Sequence, residues 1–219
     1  TNGLKIVLKP TEFENDEVLY RLVAAGGYGQ LPQDKMQSGQ LAAQVGWESG
    51  IGEYSSDQVS VLLYEHSLEF FPKIMPFYRV VEGSSTSKGV DSFLKCLNLF
   101  FTSPQFHKEG FKTVLAEVKN SLSKSSLDCE SLYEAEYMAA NTQCMPALQA
   151  LKQKDLTKID FETSKRFYHE SFSNPADFTL VIVGCFDLES IQPIINRRLG
   201  SIPAKGKAKE FAQNSTFSF

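Results

Sequence analysis

The chain has 219 residues, of which 42% are hydrophobic and 22% are charged, and these fractions are typical of a globular domain rather than of a disordered or fibrous protein. The formal net charge of −4 argues against nucleic acid as a partner, because phosphate binding needs a clustered excess of Lys and Arg. No apolar run approaches the roughly 18 residues that a membrane-spanning helix requires, so we expect no membrane association.

The beginning of the sequence and its cysteines give little information about the compartment. Thr1 opens the chain without a basic and apolar leader, so we expect any signal peptide of a parent protein to lie outside this piece. No Cys-x-x-Cys pair occurs among Cys96, Cys129, Cys144 and Cys185, and we expect mostly free thiols, although an even number leaves a disulfide open. The sequence assigns no cellular localisation.

Two strands are predicted in the first 25 residues. Residues 4–9 alternate apolar and polar side chains until Pro10 ends the pattern. After an acidic connection, residues 19–25 form an apolar run that is too short for a helix and long enough for a buried strand. Three glycines within residues 26–29 then predict a turn.

A helix is predicted from residue 33 to about residue 47. Apolar side chains recur there at separations of four and seven residues, which places them on one helix face. Residues 58–66 alternate again and predict a strand. Residues 70–81 form a further extended stretch, in which Pro72 and Pro76 favour an edge or bulged strand.

The middle of the chain predicts a group of helices. The polar stretch 83–87 can cap a helix, and residues 90–101 follow with the strongest helical pattern in the chain. The break at residues 102–104 is short, so a second helix over residues 111–122 should pair with the first in antiparallel fashion. A third helix is expected from Leu127 to about Ala140.

The last third predicts a helix, a strand and a final helix. Asp160 can cap a helix that ends before Asn174, and the apolar run 178–183 is typical of a central strand. Asp187 can cap the final helix, whose buried side should comprise Leu188, Ile191, Ile195 and Leu199. Other side chains expected to be largely buried are Phe93, Leu97, Val114, Leu115, Val118, Val181 and Val183.

Strands followed by helices, then a returning strand and helix, predict an α+β fold with a mostly antiparallel sheet and helices packed on one face. We expect one domain over residues 1–203. Residues 204–219 are rich in Lys, Ala, Ser and Asn and are interpreted as an interdomain linker or the start of the next element.

Several stretches resemble the insulinase or pitrilysin-like zinc peptidases of the M16 family. The order of strand, glycine turn and helix over residues 19–52 is similar to the start of a domain in these enzymes. Further similar segments, in the same order, are residues 2–10, 49–52, 99–106, 174–187 and 199–203. Long members contain four such domains, and residues 9–17 resemble the opening of the third.

The resemblance implies a zinc site in active domains of the family, where the helix carries His-x-x-Glu-His. Residues 36–47 contain no His. His66 begins His-x-x-Glu, but Phe70 stands where the second His is required, and this segment is predicted as a strand. His169 is followed by Glu170, but Ser173 occupies the last position, and His107 is interpreted as a solvated side chain.

Other chemistries are not supported by the motifs. Residues 83–89 lack the Gly-Lys-Ser/Thr ending of a phosphate-binding loop, and residues 26–29 have too few glycines for a dinucleotide fingerprint. No Gly-x-Ser-x-Gly nucleophile elbow occurs. We therefore assign no catalytic, cofactor-binding or metal-ligating residue to this chain.

The resemblance implies a non-catalytic domain of a larger zinc metallopeptidase, enclosing peptide substrate or supporting the active half. Zinc is then expected in a separate catalytic domain of the parent chain. The implied partners are a catalytic M16 domain, in the same chain or a partner subunit, and the peptide substrate of the parent. A stand-alone interaction or structural subunit with the same fold and no peptidase activity is the alternative.

Overall fold

A computed structural model describes residues 2–125 and 128–209 of the chain. Its sheet contains β1 (Lys5–Pro10), β2 (Val18–Ala25), β3 (Glu69–Ile74), β4 (Tyr78–Ser85) and β5 (Thr179–Gly184). The α-helices are α1 (Met36–Gln40), α2 (Ala42–Glu48), α3 (Ser56–Glu65), α4 (Val90–Thr102), α5 (Lys108–Ser125), α6 (Cys129–Asn141), α7 (Phe161–Phe172) and α8 (Leu188–Leu199). Among these residues, no helix is long and apolar enough to cross a membrane.

The five strands form one sheet in the order β1-β5-β2-β4-β3. Only β1 and β5 run parallel within it, and the remaining neighbours are antiparallel. The predicted α+β class with a mostly antiparallel sheet is therefore confirmed. The extended stretch predicted over residues 70–81 is two strands joined by a tight turn at Pro76. Pro72 lies in the edge strand β3, where a missing backbone donor is tolerated.

The core lies between one face of the sheet and the helices. Tyr20 in β2 and Ile182 in β5 point into it, and both are buried. The ring of Tyr20 stacks on Phe93 of α4 with a centroid distance of 3.7 Å. Its hydroxyl group lies 2.8 Å from the Ser85 hydroxyl, so the polar end of this buried side chain is satisfied.

Most predicted helices are present. The helix expected over residues 33–47 is interrupted near Leu41 and forms α1 and α2. The predicted caps of α7 and α8 are confirmed, since the Asp160 carboxylate accepts a hydrogen bond from the Thr163 amide and Asp187 accepts one from Ser190. The third predicted helix corresponds to α6, and Leu127, its predicted first residue, lies outside the described residues.

The strand predicted over residues 58–66 is wrong, because this segment is helix α3. A capping box starts the helix: Ser55 Oγ accepts from the Gln58 amide at 3.3 Å, and Gln58 Oε1 accepts from the Ser55 amide at 3.0 Å. The strand prediction used the alternation of Val59, Val61 and Leu63. Val59 and Leu63 are four residues apart and share one helix face, so the same spacing is also compatible with a helix.

The antiparallel pairing of α4 and α5 is also wrong. Helix α4 packs mainly on α8, and α5 packs on α2. The connection between α4 and α5 is held at the end of α2, where the Gln105 side chain donates to the Gly52 carbonyl and the His107 amide donates to Ser49 Oγ. These bonds direct α5 away from α4.

The expected core is correct for most helix positions and wrong for Leu188 of α8 and for one side of β5. Six of the predicted residues are buried, namely Phe93, Leu97, Val114, Ile191, Ile195 and Leu199. Leu115 and Val118 are half-buried. Val181 and Val183 are also only half-buried, because they face away from the helices, and Leu188 is 48% exposed.

The polar stretch 83–87 has two roles. Its first residues belong to β4, whereas the Thr86 side chain accepts a hydrogen bond from the Gly89 amide and caps a short turn before α4. The four cysteines are free thiols in this structure.

Candidate functional site

The helices α1 and α2 occupy the place where the resemblance implies a zinc-binding helix, and here they are closely packed against α7. Gly46 of α2 faces Tyr168 of α7, and a Cβ atom at position 46 would overlap the Tyr168 ring. Near the start of α1, the Ser164 hydroxyl donates to the Ser38 carbonyl at 2.9 Å, and Ser38 Oγ accepts from the Asp160 amide at 2.9 Å. The side of these helices that faces α7 is therefore filled by side chains of this domain.

The three histidines lie in different parts of the fold. His66 ends α3 and Glu69 already belongs to β3, so His66 and Glu69 do not share a helix face. His107 precedes α5. His169 in α7 lies beside the rings of Phe106 and Tyr168, and burial together with nearby lysines lowers its pKa. Within residues 2–125 and 128–209, no group of three His, Cys, Asp or Glu side chains could hold a metal ion.

Glu48, at the end of α2, is the acidic residue nearest to the expected zinc-binding helix. Burial raises the pKa of its carboxyl group, and the charges of Glu117 in α5 and Asp57 in α3 raise it further. Glu48 thus lies within electrostatic reach of an acidic residue on each of two other helices. The His-x-x-Glu-His pattern, in contrast, places a single Glu between two His on one helix.

Another candidate surface is the face of the sheet opposite the helices, which we call the open face. Because strand registers place side chains in rows, its central row can be read from the pairing as Val7, Val181, Arg21, Glu82 and Phe71. Val7 is 50% exposed and Phe71 is 49% exposed. Apolar side chains therefore end this row on both sides of a charged centre.

The charged centre of the open face is an ion-pair network. Glu82 Oε1 lies 3.4 Å from Nη2 of Arg21 on β2, and Glu82 Oε2 lies 2.8 Å from Nζ of Lys73 on β3. The hydrogen bond from Lys73 and the two positive charges lower the pKa of Glu82. Exposed pairs of this kind add little to stability, so they define the charge pattern of the face more than they hold the sheet together.

A second row of the open face is more apolar in its centre. It consists of Lys9, Val183, Leu19, Ser84 and Glu69. Leu19 is 48% exposed. The Ser84 hydroxyl donates to the Glu69 carboxylate at 3.1 Å. A surface with alternating apolar and charged rows can contact an extended polypeptide through both kinds of side chain.

Sequence reasoning missed this surface. Val181 and Val183 lie in a continuous apolar run, which is typical of a strand that is buried on both faces. The sequence of β2 contains a signal that could have revealed it. Arg21 lies between Tyr20 and Leu22, so its charged side chain points to the sheet face opposite to theirs.

The beginning of the predicted linker is attached to the domain. The Asn174 side chain donates to the Lys207 carbonyl at 3.0 Å, and the Lys209 amide donates to the Asp177 carboxylate at 2.9 Å. Asn174 also donates to Asp177 at 3.0 Å. Residues 210–219 lie outside the described residues, and so does the element expected near the end of the chain.

Comparison with protein families identifies a related domain. The family model described as the peptidase M16 inactive domain matches residues 146–218. A zinc protease PQQL-like protein from Arabidopsis thaliana is 22% identical over 206 residues, which cover 93% of this chain and 19% of the relative. The probable zinc protease PqqL from Haemophilus influenzae is 22% identical over 215 residues, which cover 96% of this chain and 23% of the relative. The chain thus spans about a fifth of these curated relatives.

Solved structures share the fold. The periplasmic protease PqqL from Escherichia coli matches 97% of this chain and 23% of its own, with a TM-score of 0.73 and 20% identity. The ferredoxin protease FusC in complex with Arabidopsis ferredoxin matches 97% of this chain and 23% of its own, with a TM-score of 0.72 and 19% identity. A peptidase M16 inactive domain from Pseudomonas fluorescens matches 96% of this chain and 51% of its own, with a TM-score of 0.76 and 16% identity.

The sequence matches extend along nearly the whole chain, and the fold agrees with that of M16 domains. The family-model match carries the description of the inactive type. The chain is therefore similar to M16 peptidase domains along nearly its whole length, and its residues 146–218 match the model of the type described as inactive.

Proposed function

We propose that this chain is a non-catalytic domain of a larger zinc-dependent metallopeptidase, in which it encloses peptide substrate or supports the active half. The observation that carries this proposal is a fold similar to that of M16 domains, whose α1–α2 region has no histidine and is packed against Tyr168. Zinc belongs, on this proposal, to a separate catalytic domain of the parent. The names of the curated relatives, both zinc proteases, support that assignment.

The proposal includes the organisation of the chain. Residues 1–203 form the domain and residues 204–219 connect it to the next element of the parent. The chain itself contributes no catalytic, cofactor-binding or metal-ligating residue. Its partner is a catalytic M16 domain, in the same chain or in a partner subunit.

The open face is the surface that we assign to substrate enclosure. Leu19 and Phe71 are about half exposed, and Arg21 and Glu82 lie between them. A polypeptide passing over this face would bury apolar side chains and meet both signs of charge. FusC, which shares the fold, was solved with a protein, ferredoxin, and this supports a polypeptide as the substrate class.

The test compares the parent protein with and without residues 1–203 at equal zinc occupancy. Loss of peptide turnover with zinc retained is the expected result, because a chamber or scaffold acts without contributing ligands. Unchanged turnover and unchanged limits on substrate size would contradict the proposal. The stand-alone interaction subunit would replace it if the complete protein held no zinc and cleaved no peptide.

A further inference from the structure

Helix α6 lies outside the core of the domain. All of its 13 residues are described, and none of them is buried. Four of its large side chains are exposed, with Leu132 at 52%, Tyr133 at 69%, Tyr137 at 56% and Met138 at 44%. Single exposed apolar residues are common on proteins, but large exposed apolar sets mark contact surfaces, and we call these four side chains the apolar patch.

The aromatic part of this patch is ordered. Tyr133 and Tyr137 are one helical turn apart, and their rings stack with a centroid distance of 6.0 Å and an interplanar angle of 24°. A stacked pair of tyrosines presents a rigid apolar surface with few rotatable bonds. Such residues are enriched where proteins contact each other, because little conformational entropy is lost on binding.

The other part of the patch lines a groove of about 730 Å³. Leu132 and Met138 of α6 line it, together with Leu148 and Leu151, which follow the helix in the chain. Tyr28 and Met75, near the ends of strands β2 and β3, also line the groove. The groove is large enough to accept several side chains of another protein surface.

Helix α6 is acidic. Its charged residues are Glu130, Glu134 and Glu136, and it contains neither Lys nor Arg. The N-cap Asp128 adds a fourth negative charge. A surface that covers this helix must therefore combine apolar side chains with Lys or Arg at the rim, because like charges would be repelled.

We propose that α6 and the groove beside it, together called the α6 surface, are the docking site for another domain of the parent chain. This proposal rests on the proposed function. The occupant is identified by charge complementarity, as an apolar surface with a basic rim. The length of the relatives agrees with a domain of the same chain, since the matched region is only 19% of the Arabidopsis protein.

Cys129 provides a natural probe, because it is exposed and is the first residue of α6. Iodoacetamide alkylation of Cys129, followed by mass spectrometry, would be measured in the 219-residue chain and in the full-length parent. We expect alkylation in the parent to be slower by about tenfold or more, because docking covers the thiol and reaction then requires local opening.

Charge reversal distinguishes docking from general shielding. The double variant Glu134→Lys/Glu136→Lys in the full-length parent should restore fast alkylation of Cys129. The matched control is Glu12→Lys/Glu14→Lys, which reverses two exposed acidic residues away from α6 and should leave Cys129 protected.

Other outcomes would overturn the proposal. Equal alkylation of Cys129 in the parent and in the 219-residue chain would show that the α6 surface is uncovered. Protection that depends on protein concentration would indicate a second copy, and protection only with added peptide would indicate substrate. Absence of zinc from the parent would contradict the proposed function alone, since the protection of Cys129 is measured without catalysis.

Discussion

The guanidinium group of Arg79 on β4 lies 3.2 Å from the carboxylate of Asp177, which precedes β5, and both side chains are almost fully buried at 4% and 1% exposure. The guanidinium carbon also lies 5.2 Å from the centre of the Phe178 ring. Asp177 accepts further hydrogen bonds from Asn174 and from the Lys209 amide. One buried carboxylate thus connects the sheet, the start of β5 and the segment that follows Pro203.

Replacing Arg79 by Met should destabilise the domain by about 3–5 kcal/mol, because the Asp177 carboxylate would remain buried without its cation. Chemical unfolding of the wild type and of Arg79→Met would measure this loss. The double variant Arg79→Met/Asp177→Leu should cost less than the sum of the two single variants, as expected for coupled residues. Additive losses would show that the pair does not act as a unit.

Replacing Gly46 by His should destabilise the domain by about 1–3 kcal/mol or more, because any side chain there collides with Tyr168. Thermal unfolding provides the measurement. The matched control is Ala116→His on the exposed side of α5, which should cost less than about 1 kcal/mol. Similar losses for both variants would contradict the close packing of α2 on α7.

Truncating Leu97 or Ile191 to Ala should cost about 2–5 kcal/mol each. Both side chains are buried where α4 packs on α8, so each truncation leaves a cavity between the two helices. Urea unfolding curves would test this expectation. Losses below about 0.5 kcal/mol at both positions would show that these helix faces do not form the core.

Asp91 should make the stability of the domain depend on pH. Its carboxylate accepts two hydrogen bonds from Arg198, at 2.8 and 2.7 Å, and one from Arg197 at 2.8 Å. These bonds, chiefly those from Arg198, lower the pKa of Asp91 well below its ordinary value. Because the folded-state pKa is lowered, the stabilisation by Asp91 is complete above the unfolded-state pKa. It is lost as the pH falls from the unfolded-state pKa through the folded-state pKa.

The variant Asp91→Asn tests this pH dependence. At pH 7 it should be less stable than the wild type by about 1 kcal/mol, since the site is partly exposed and solvent screens the ion pairs. The difference in melting temperature should begin to shrink below about pH 4, where the unfolded-state carboxylate becomes protonated. A difference that stays constant down to the lowest accessible pH would contradict the assignment.

The open face can be tested without unfolding the domain. The double variant Leu19→Ser/Phe71→Ser removes two half-exposed side chains, so its effect on the free energy of unfolding should be small, on the order of 1 kcal/mol. In the full-length parent, the same variant should raise KM for peptides, because substrate would lose apolar contacts. A Val61→Ser control on the exposed side of α3 should leave KM unchanged. An unchanged KM in the double variant would contradict substrate enclosure by this face.

Local patterns were sufficient for much of the fold. The spacing of apolar residues predicted α4, and the carboxylates of Asp160 and Asp187 predicted where α7 and α8 begin. These features depend on residues within one or two turns of each other. The error at α3 had a local cause as well, because the cap formed by Ser55 and Gln58 was not weighed against the alternation that followed it.

Features that depend on distant residues could not be predicted in this way. The ion pair between Arg79 and Asp177 joins residues 98 positions apart. The exposure of Val181 follows from which face the helices cover, and a single apolar strand does not contain that information. The packing of α5 on α2 depends on hydrogen bonds from residues 105 and 107 to the end of α2.

The contact between Gly46 and Tyr168 also limits how this domain could be redesigned as an enzyme. Placing an imidazole at position 46 would require a smaller residue at position 168, and Tyr168 is itself one of the largest fully buried side chains. Either change made first would leave a collision or a cavity in the core. A zinc ligand at position 46 therefore requires substitutions in both α2 and α7. A histidine introduced there alone would lower the stability of the fold before any metal could bind.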